Sequence, residues 1–110
     1  MTNLLHQHCQ ALEGGAPMNE AQIHDHLAQL SGWRLAGDAI EKTFVFKNYH
    51  ETIAFVNALA WIANTEDHHP ELAVSYNRCV ARFNTHSVGG ISINDFICAT
   101  KVDALLAFVV

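Results

Sequence analysis

Alternating apolar and polar positions predict two pairs of β-strands along the chain. The first pair covers residues 33–35 and 40–46, and the second covers 72–76 and 79–83. In three segments every second side chain is apolar, and in 40–46 one face carries Ile40, Phe44 and Phe46; this is typical of strands with one buried face. Tyr76-Asn77 lies where the second pair must reverse direction. The pattern therefore predicts two antiparallel hairpins.

Apolar residues at helical spacing predict three helices around these hairpins. The helices are expected to begin at Asn19, Asn48 and Ser92, because Asn and Ser side chains accept hydrogen bonds from the free N–H groups of a first turn. The second helix must stop by His69, since the residue before a proline is pushed out of the α region. The last helix is expected to reach about Phe108.

The resulting order is helix, two strands, helix, two strands, helix, which predicts an α+β fold. Three helices would pack on one face of a four-stranded antiparallel sheet. Residues 1–17 are polar, contain Gly14-Gly15 and end in proline, so we expect a flexible N-terminal arm with at most one helical turn. Residues 18–110 are then expected to form a single domain. His6 and His8 in the arm are assigned no chemical role.

Composition and charge narrow the class of protein. Half of the 110 residues are hydrophobic, which is enough for one core, and the net charge of −5 argues against nucleic-acid or anionic-membrane binding. The longest apolar run, residues 104–110, is far shorter than the ~20 residues of a membrane-spanning helix. We therefore expect a cytoplasmic protein whose three cysteines are reduced.

The densest group of titratable side chains is His68-His69-Pro70 together with His86. Folding the second hairpin at its turn pairs positions whose numbers sum to about 153 or 154, which sets His86 opposite the histidine pair. Opposed residues in an antiparallel pair have Cβ atoms roughly 5 Å apart. We therefore expect three imidazoles to converge at the open end of this hairpin, although a slip of one residue would turn His86 to the other face.

These residues carry a resemblance to a known family. The runs EDHHPE (66–71), YN (76–77), NTH (84–86) and ISINDF (91–96), with Gly32-Trp33 upstream, resemble the pterin-4a-carbinolamine dehydratases. The resemblance covers most of the chain after the arm and implies the same α+β fold. It implies a homodimer or homotetramer that dehydrates 4a-hydroxytetrahydropterin to quinonoid dihydropterin without a cofactor. Such an enzyme recycles the pterin of an aromatic amino acid hydroxylase, for example phenylalanine hydroxylase.

The resemblance also implies roles for individual residues. His68 and His86 would act as acid and base about the 4a position, and His69 would hold the pterin and share in proton transfer. Imidazole suits both tasks because its ordinary pKa is near 6.5. By family position the substrate-binding residues would be Asp67, Pro70, Trp33, Thr85 and Asp95. From the residues alone, Asp67 could instead be a solvated carboxylate, Asp95 a helix cap and Trp33 a core residue.

Two other functions stay open. Three converging imidazoles could bind zinc or nickel, although none of the histidine pairs has the spacing usual for a zinc site. The chain could also be a protein-binding module, since some members of the family serve as dimerisation cofactors of a homeodomain transcription factor. Activity after chelation would separate the metal site from a dehydratase that works with histidines alone.

Overall fold

The computed structural model describes residues 3–106, and its element order confirms the predicted α+β arrangement. A short 3-10 turn, Leu4–His6, precedes the domain. The helices and strands are α1 Glu20–Leu27, β1 Arg34–Ala36, β2 Ala39–Val45, α2 Tyr49–Glu66, β3 Glu71–Val74, β4 Arg78–Phe83 and α3 Ile93–Leu105, with a second 3-10 turn, His86–Val88, between β4 and α3. The expected end of the last helix near Phe108 lies outside the described residues.

Polar side chains cap the three helices where the sequence predicts. Asn19 forms a capping box with Gln22 at the start of α1, and Asn48 accepts a hydrogen bond from the Glu51 N–H at the start of α2. Ser92 and Asp95 form a second capping box at the start of α3. Each cap satisfies backbone N–H groups that a first helical turn leaves free, an effect worth about 1 kcal/mol.

The four strands form one antiparallel sheet in the order β1-β2-β4-β3. In the second hairpin Glu71 pairs with Arg82 and Leu72 with Ala81, so paired numbers sum to 153 as predicted. The neighbouring strands β2 and β4 place Ile40 opposite Phe83 at the end of the sheet where the histidine-bearing segments lie. The register therefore brings the ends of α2 and β4 to one edge of the fold.

One face of the sheet is buried beneath the three helices. Its buried side chains are Ile40, Phe44, Cys79, Ala81 and Phe83. Helices α2 and α3 supply the opposing apolar layer, and the buried helix side chains are Ile23, Phe55, Leu59, Ala63, Phe96, Ile97, Cys98, Ala99 and Val102. Full burial of one such large side chain contributes roughly 1.5–3 kcal/mol.

The three cysteines are all free, and two of them are core residues. Cys79 and Cys98 are fully buried. Burial raises the pKa of Cys79, and a hydrogen bond with Cys9 together with burial raises the pKa of Cys98. Both thiols are therefore protonated at neutral pH.

The opposite face of the sheet is polar and carries an ion-pair network. Glu41 accepts hydrogen bonds from Arg82 and Arg34, and these bonds lower its pKa. Arg82 also lies within 3.9 Å of Glu71 and 4.0 Å of Asp38. These charges surround the edge of the sheet beside His69 and His86.

Helix α2 leaves large apolar side chains uncovered. Trp61 is 72% exposed and Tyr49 is 54% exposed, so Trp61 is not part of the core of this chain. His26 on α1 packs its ring over Phe96 at 4.9 Å and is half-buried. No helix within residues 3–106 is long and apolar enough to cross a membrane.

The predicted arm makes specific contacts with the domain. It contains one short 3-10 turn, where at most one helical turn is expected, and Leu4 is buried in the core cluster. Met18 donates its N–H to the Ile91 carbonyl at 2.8 Å, and Pro17 packs so closely on Gly90 that a Cβ there would lie 2.9 Å from the proline ring. The division of the chain at residue 17 stays a prediction.

Candidate active site

A left-handed residue at the end of α2 sets the direction of the histidine pair. Asp67 has φ 51° and ψ 44°, and it is the one residue other than glycine with positive φ in the described part of the chain. The backbone N–H of His68 donates a hydrogen bond to the Ala63 carbonyl of α2 at 3.1 Å. This C-terminal cap ends the helix and turns the chain so that His68 points into the protein.

His68 forms a hydrogen-bonded pair with a buried carboxylate. Its Nε2 lies 2.6 Å from Asp95 Oδ1, and the Asp95 side chain is completely buried. The other carboxylate oxygen accepts the Thr85 hydroxyl and the Ser92 N–H, each at 2.9 Å. An ionised carboxylate only accepts hydrogen bonds, so with Asp95 in that form the shared proton lies on Nε2 of His68. The Nδ1 atom is then the one that can exchange a proton with a ligand.

Two further contacts hold the His68–Asp95 pair in place. The imidazole stacks on the Phe83 ring, with the planes 8° apart and the centroids 6.0 Å apart. Thr85 is buried, and its hydroxyl also lies 2.7 Å from the Ser92 hydroxyl. The ring is therefore restrained both in its plane and in its rotation. Such restraint is what a group that transfers protons needs for reproducible geometry.

A polar cavity of about 310 Å³ lies beside His68. Two predicted substrate-binding residues, Asp67 and Thr85, contribute to its wall. The remaining wall comes from the arm and from three polar residues of the domain. The full lining is Cys9, Gln10, Ala11, Leu12, Glu66, Asp67, His68, Thr85, Ser87 and Asn94.

The other two histidines share a neighbouring cavity of about 180 Å³. His69, Pro70 and His86 lie in its wall together with polar residues of the sheet edge; the full lining is Asp38, Ala39, His69, Pro70, Glu71, Arg82, Asn84 and His86. The structure thus brings His69 and His86 together and places His68 in the adjacent cavity. This differs from the expected convergence of all three rings because Asp67 turns His68 inward to Asp95.

Trp33 lies in the core and contributes to neither of these cavities. Its indole N–H donates to Asp103 Oδ2 at 3.0 Å, and its ring packs against Phe44 and Phe83. The core role considered from the sequence is therefore observed. A direct contact between Trp33 and substrate stays a prediction.

Several lining residues are given no role by the sequence analysis. Glu66 precedes the histidine motif, and its side chain is 3% exposed. Asn94 precedes Asp95, while Arg82 lies on the outward face of β4. The partners that give Glu66 its position lie 57 and 58 residues earlier, so no local pattern signals its burial.

Metal binding has no support from the geometry of the described residues. Within residues 3–106, no three or more His, Cys, Asp or Glu side chains are grouped so that they could hold a metal ion. His68 is already committed to Asp95 through Nε2. The arrangement instead provides three imidazoles beside two polar cavities, one of them hydrogen-bonded to a buried carboxylate, which is suited to acid–base chemistry.

Comparison with known proteins identifies the class of protein that this fold and site define. The family model described as "Pterin 4 alpha carbinolamine dehydratase" matches residues 16–105. The chain therefore belongs to this family, as the sequence motifs indicate. The match begins just before α1, so most of the N-terminal arm lies outside it.

Individual relatives and one solved structure agree with this assignment. The chain is 52% identical to a provisionally named pterin-4-alpha-carbinolamine dehydratase of Chromobacterium violaceum, over 94% of this chain and 95% of the relative. A relative of the same name from Nitrosomonas eutropha is 50% identical over 96% of this chain and 98% of its own, so that alignment extends into the arm. A crystal structure titled as a transcriptional coactivator/pterin dehydratase from Brucella melitensis superposes with a TM-score of 0.78 at 32% identity, covering 81% of this chain and 97% of the other.

Proposed function

We propose that this protein is a 4a-hydroxytetrahydropterin dehydratase, a hydro-lyase. The substrate loses the hydroxyl at C4a and the proton at N5, and the products are quinonoid dihydropterin and water. Membership of the family supports the reaction class. The observation that carries the proposal is the His68–Asp95 pair beside a polar cavity, because Asp95 engages Nε2 and leaves Nδ1 as the second ring nitrogen of an imidazole in the cavity wall.

The chemistry requires one proton to be delivered and one to be removed. The C4a hydroxyl leaves as water after receiving a proton, while the electron pair of the N5–H bond forms the new C=N bond. Each positioned acid or base typically contributes about 10²–10⁴ in rate. Imidazole can serve at either position near neutral pH because both of its protonation states are populated.

We assign His68 and His86 to the acid and base roles, and His69 to holding the pterin and sharing in proton transfer. Asp95 and Thr85 act through His68 and are positioning residues. Asp67 and Pro70 contribute to the walls of the two cavities and are candidates for direct contact with the pterin ring. The polar walls suit a heterocycle that carries several hydrogen-bond donors and acceptors.

Self-association is part of the proposal. Trp61 and Tyr49 are exposed on α2, and an open, mainly apolar groove of about 630 Å³ runs between α2 and the end of α3, lined in part by Phe46, Phe55 and Leu105. Exposed apolar area of this kind favours an interface with a second copy of the chain. A homodimer or homotetramer in the cytoplasm, functionally linked to a pterin-dependent hydroxylase such as phenylalanine hydroxylase, is the setting we propose.

A chelation experiment tests this function against the metal alternative. 4a-Hydroxytetrahydropterin is generated in situ by a hydroxylase, and its decay is followed by ultraviolet absorbance with and without the protein. We expect the protein to accelerate the decay equally before and after treatment with a chelator that is then removed. Activity that disappears on chelation and returns with zinc would replace the proposal with a metal enzyme.

A further inference from the structure

We infer that the N-terminal arm is a positioning element of the active site, held by Glu66 and Asn94 so that residues 9–12 form one wall of the cavity beside His68. This inference rests on the proposed function for its kinetic consequence, although its structural consequence can be measured independently. The two anchors immediately precede Asp67-His68 and Asp95 in the chain. The arm is therefore hydrogen-bonded to both of the segments that carry the His68–Asp95 pair.

Glu66 fixes the first point of the arm. Its Oε1 accepts the Cys9 N–H at 2.7 Å, and its Oε2 accepts the His8 Nδ1–H at 2.8 Å. Lys101 lies 3.8 Å from the same carboxylate and donates to the Leu5 carbonyl at 2.8 Å. Burial opposes ionisation of Glu66, but the hydrogen bonds from Cys9 and His8 and the charge of Lys101 outweigh it and lower the pKa. The anchor is therefore an ionised carboxylate at neutral pH.

Asn94 fixes the second point through a reciprocal pair of hydrogen bonds. Its Oδ1 accepts the Gln10 N–H at 3.1 Å, and its Nδ2 donates to the Gln10 carbonyl at 2.8 Å. The Asn94 side chain is buried, so both of its polar atoms depend on the arm for these partners. The backbone N–H of Asn94 bonds to Ser92 instead and would be unaffected by loss of the side chain.

The position of these anchors gives the arm a functional consequence. The segment from Cys9 to Leu12 faces the same 310 Å³ cavity as His68 and Thr85. Removing it would open that cavity to solvent on one side and free the neighbours of His68 and Asp95. Because none of the residues assigned to proton transfer lies in the arm, its loss should weaken substrate binding more than it slows the chemical step.

The test compares Asn94→Ala, deletion of residues 2–12, and the two changes combined. Asn57→Ala is the matched control, because Asn57 is an exposed residue of α2 with no side-chain hydrogen bond among the described residues. We expect Asn94→Ala to raise the KM for the 4a-hydroxypterin roughly three- to thirtyfold with little change in kcat. In the deleted protein the same substitution should add no further effect, because Asn94 acts through the arm. Thermal unfolding establishes that each variant is folded.

A nitrogen-15 NMR measurement of the histidine rings separates this inference from the proposed function. Asn94→Ala should shift the His68 ring resonances, while Asn57→Ala should leave them in place. This result would support the arm inference even if the wild-type protein failed to dehydrate the pterin. Unchanged His68 resonances together with an unchanged KM in Asn94→Ala would overturn it, whatever the activity of the wild type. If the deletion variant does not fold, these two readouts on Asn94→Ala still decide the question.

Discussion

Replacing Asp95 by Asn tests how the buried carboxylate controls His68. In the wild type one carboxylate oxygen serves His68 while the other serves Thr85 and Ser92. Asparagine has only one side-chain oxygen. If that oxygen accepts from the Thr85 hydroxyl and the Ser92 N–H, two of the three hydrogen bonds are preserved. Its amide NH₂ group must then face His68, and the imidazole can pair with it only by moving its proton from Nε2 to Nδ1. Nδ1, the ring nitrogen that Asp95 does not engage, would change from an acceptor to a donor.

The structure gives the size of the expected effects. A hydrogen bond to a charged group is worth about 1.5–3 kcal/mol. The substitution makes all three bonds neutral and so weakens them, but it also removes the cost of burying a charge, which offsets part of the loss. We therefore expect a loss of about 1–2 kcal/mol in the free energy of unfolding, or roughly 4–15 °C in Tm for a domain of this size. The dehydration rate should fall by about 10²–10⁴, because the proton-transfer role of His68 is lost in the wrong tautomer.

The assay is dehydration of 4a-hydroxytetrahydropterin, with thermal unfolding measured on the same samples. Asp103→Asn is the matched control, because Asp103 also pairs with a cation and an aromatic N–H, Lys42 at 2.9 Å and Trp33 at 3.0 Å, but away from the two cavities. We expect the control to lose stability and to retain turnover. If Asp95→Asn were as active as the wild type, or if Asp103→Asn slowed the reaction as much, the assigned role of Asp95 would be refuted.

Two further predictions concern stability and assembly. Because the folded-state pKa of Glu66 lies below its ordinary value of 4.5, the ionised side chain contributes stability above that pH, and this stability is lost as the pH falls through the lowered pKa. The Tm difference between wild type and Glu66→Gln, measured by calorimetry from pH 7 to pH 3, should therefore shrink below about pH 4.5. A difference that stayed constant over this range would be inconsistent with the lowered pKa. Trp61→Glu places a charge on the exposed face of α2 and should shift the mass measured by light scattering toward the monomer. His24→Glu is the control, because His24 is exposed on a different helix, α1. An unchanged mass for Trp61→Glu would place the interface elsewhere.

Much of the fold can be predicted because its signals are local. A turn at Tyr76-Asn77 predicts that paired residue numbers in the second hairpin sum to 153 or 154, and the observed sum is 153. Asn48 and Ser92 mark helix starts because a cap depends on residues three or four positions apart. These features depend on residues close together in the chain, so they can be recognised from the sequence alone.

The arrangement of the site depends on contacts that local patterns do not encode. Asp67 adopts a left-handed conformation, which is more often taken by glycine or asparagine, and this choice decides that His68 turns toward Asp95. Asp95 is recognisable as a cap, but its second role needs the hydrogen bond to a residue 27 positions away. The burial of Glu66 likewise comes from an arm that composition alone suggests is loose.

The most direct test of a dehydratase that works with histidines alone is the dehydration rate of 4a-hydroxytetrahydropterin with chelator-treated wild type and His69→Ala, measured side by side. His69 is exposed and makes no side-chain hydrogen bond among the described residues, so its replacement should leave the thermal unfolding of the protein unchanged. We predict rapid decay with the wild type and a rate close to the spontaneous one with the mutant. Equal rates for the two proteins, or no acceleration by the wild type, would contradict the account.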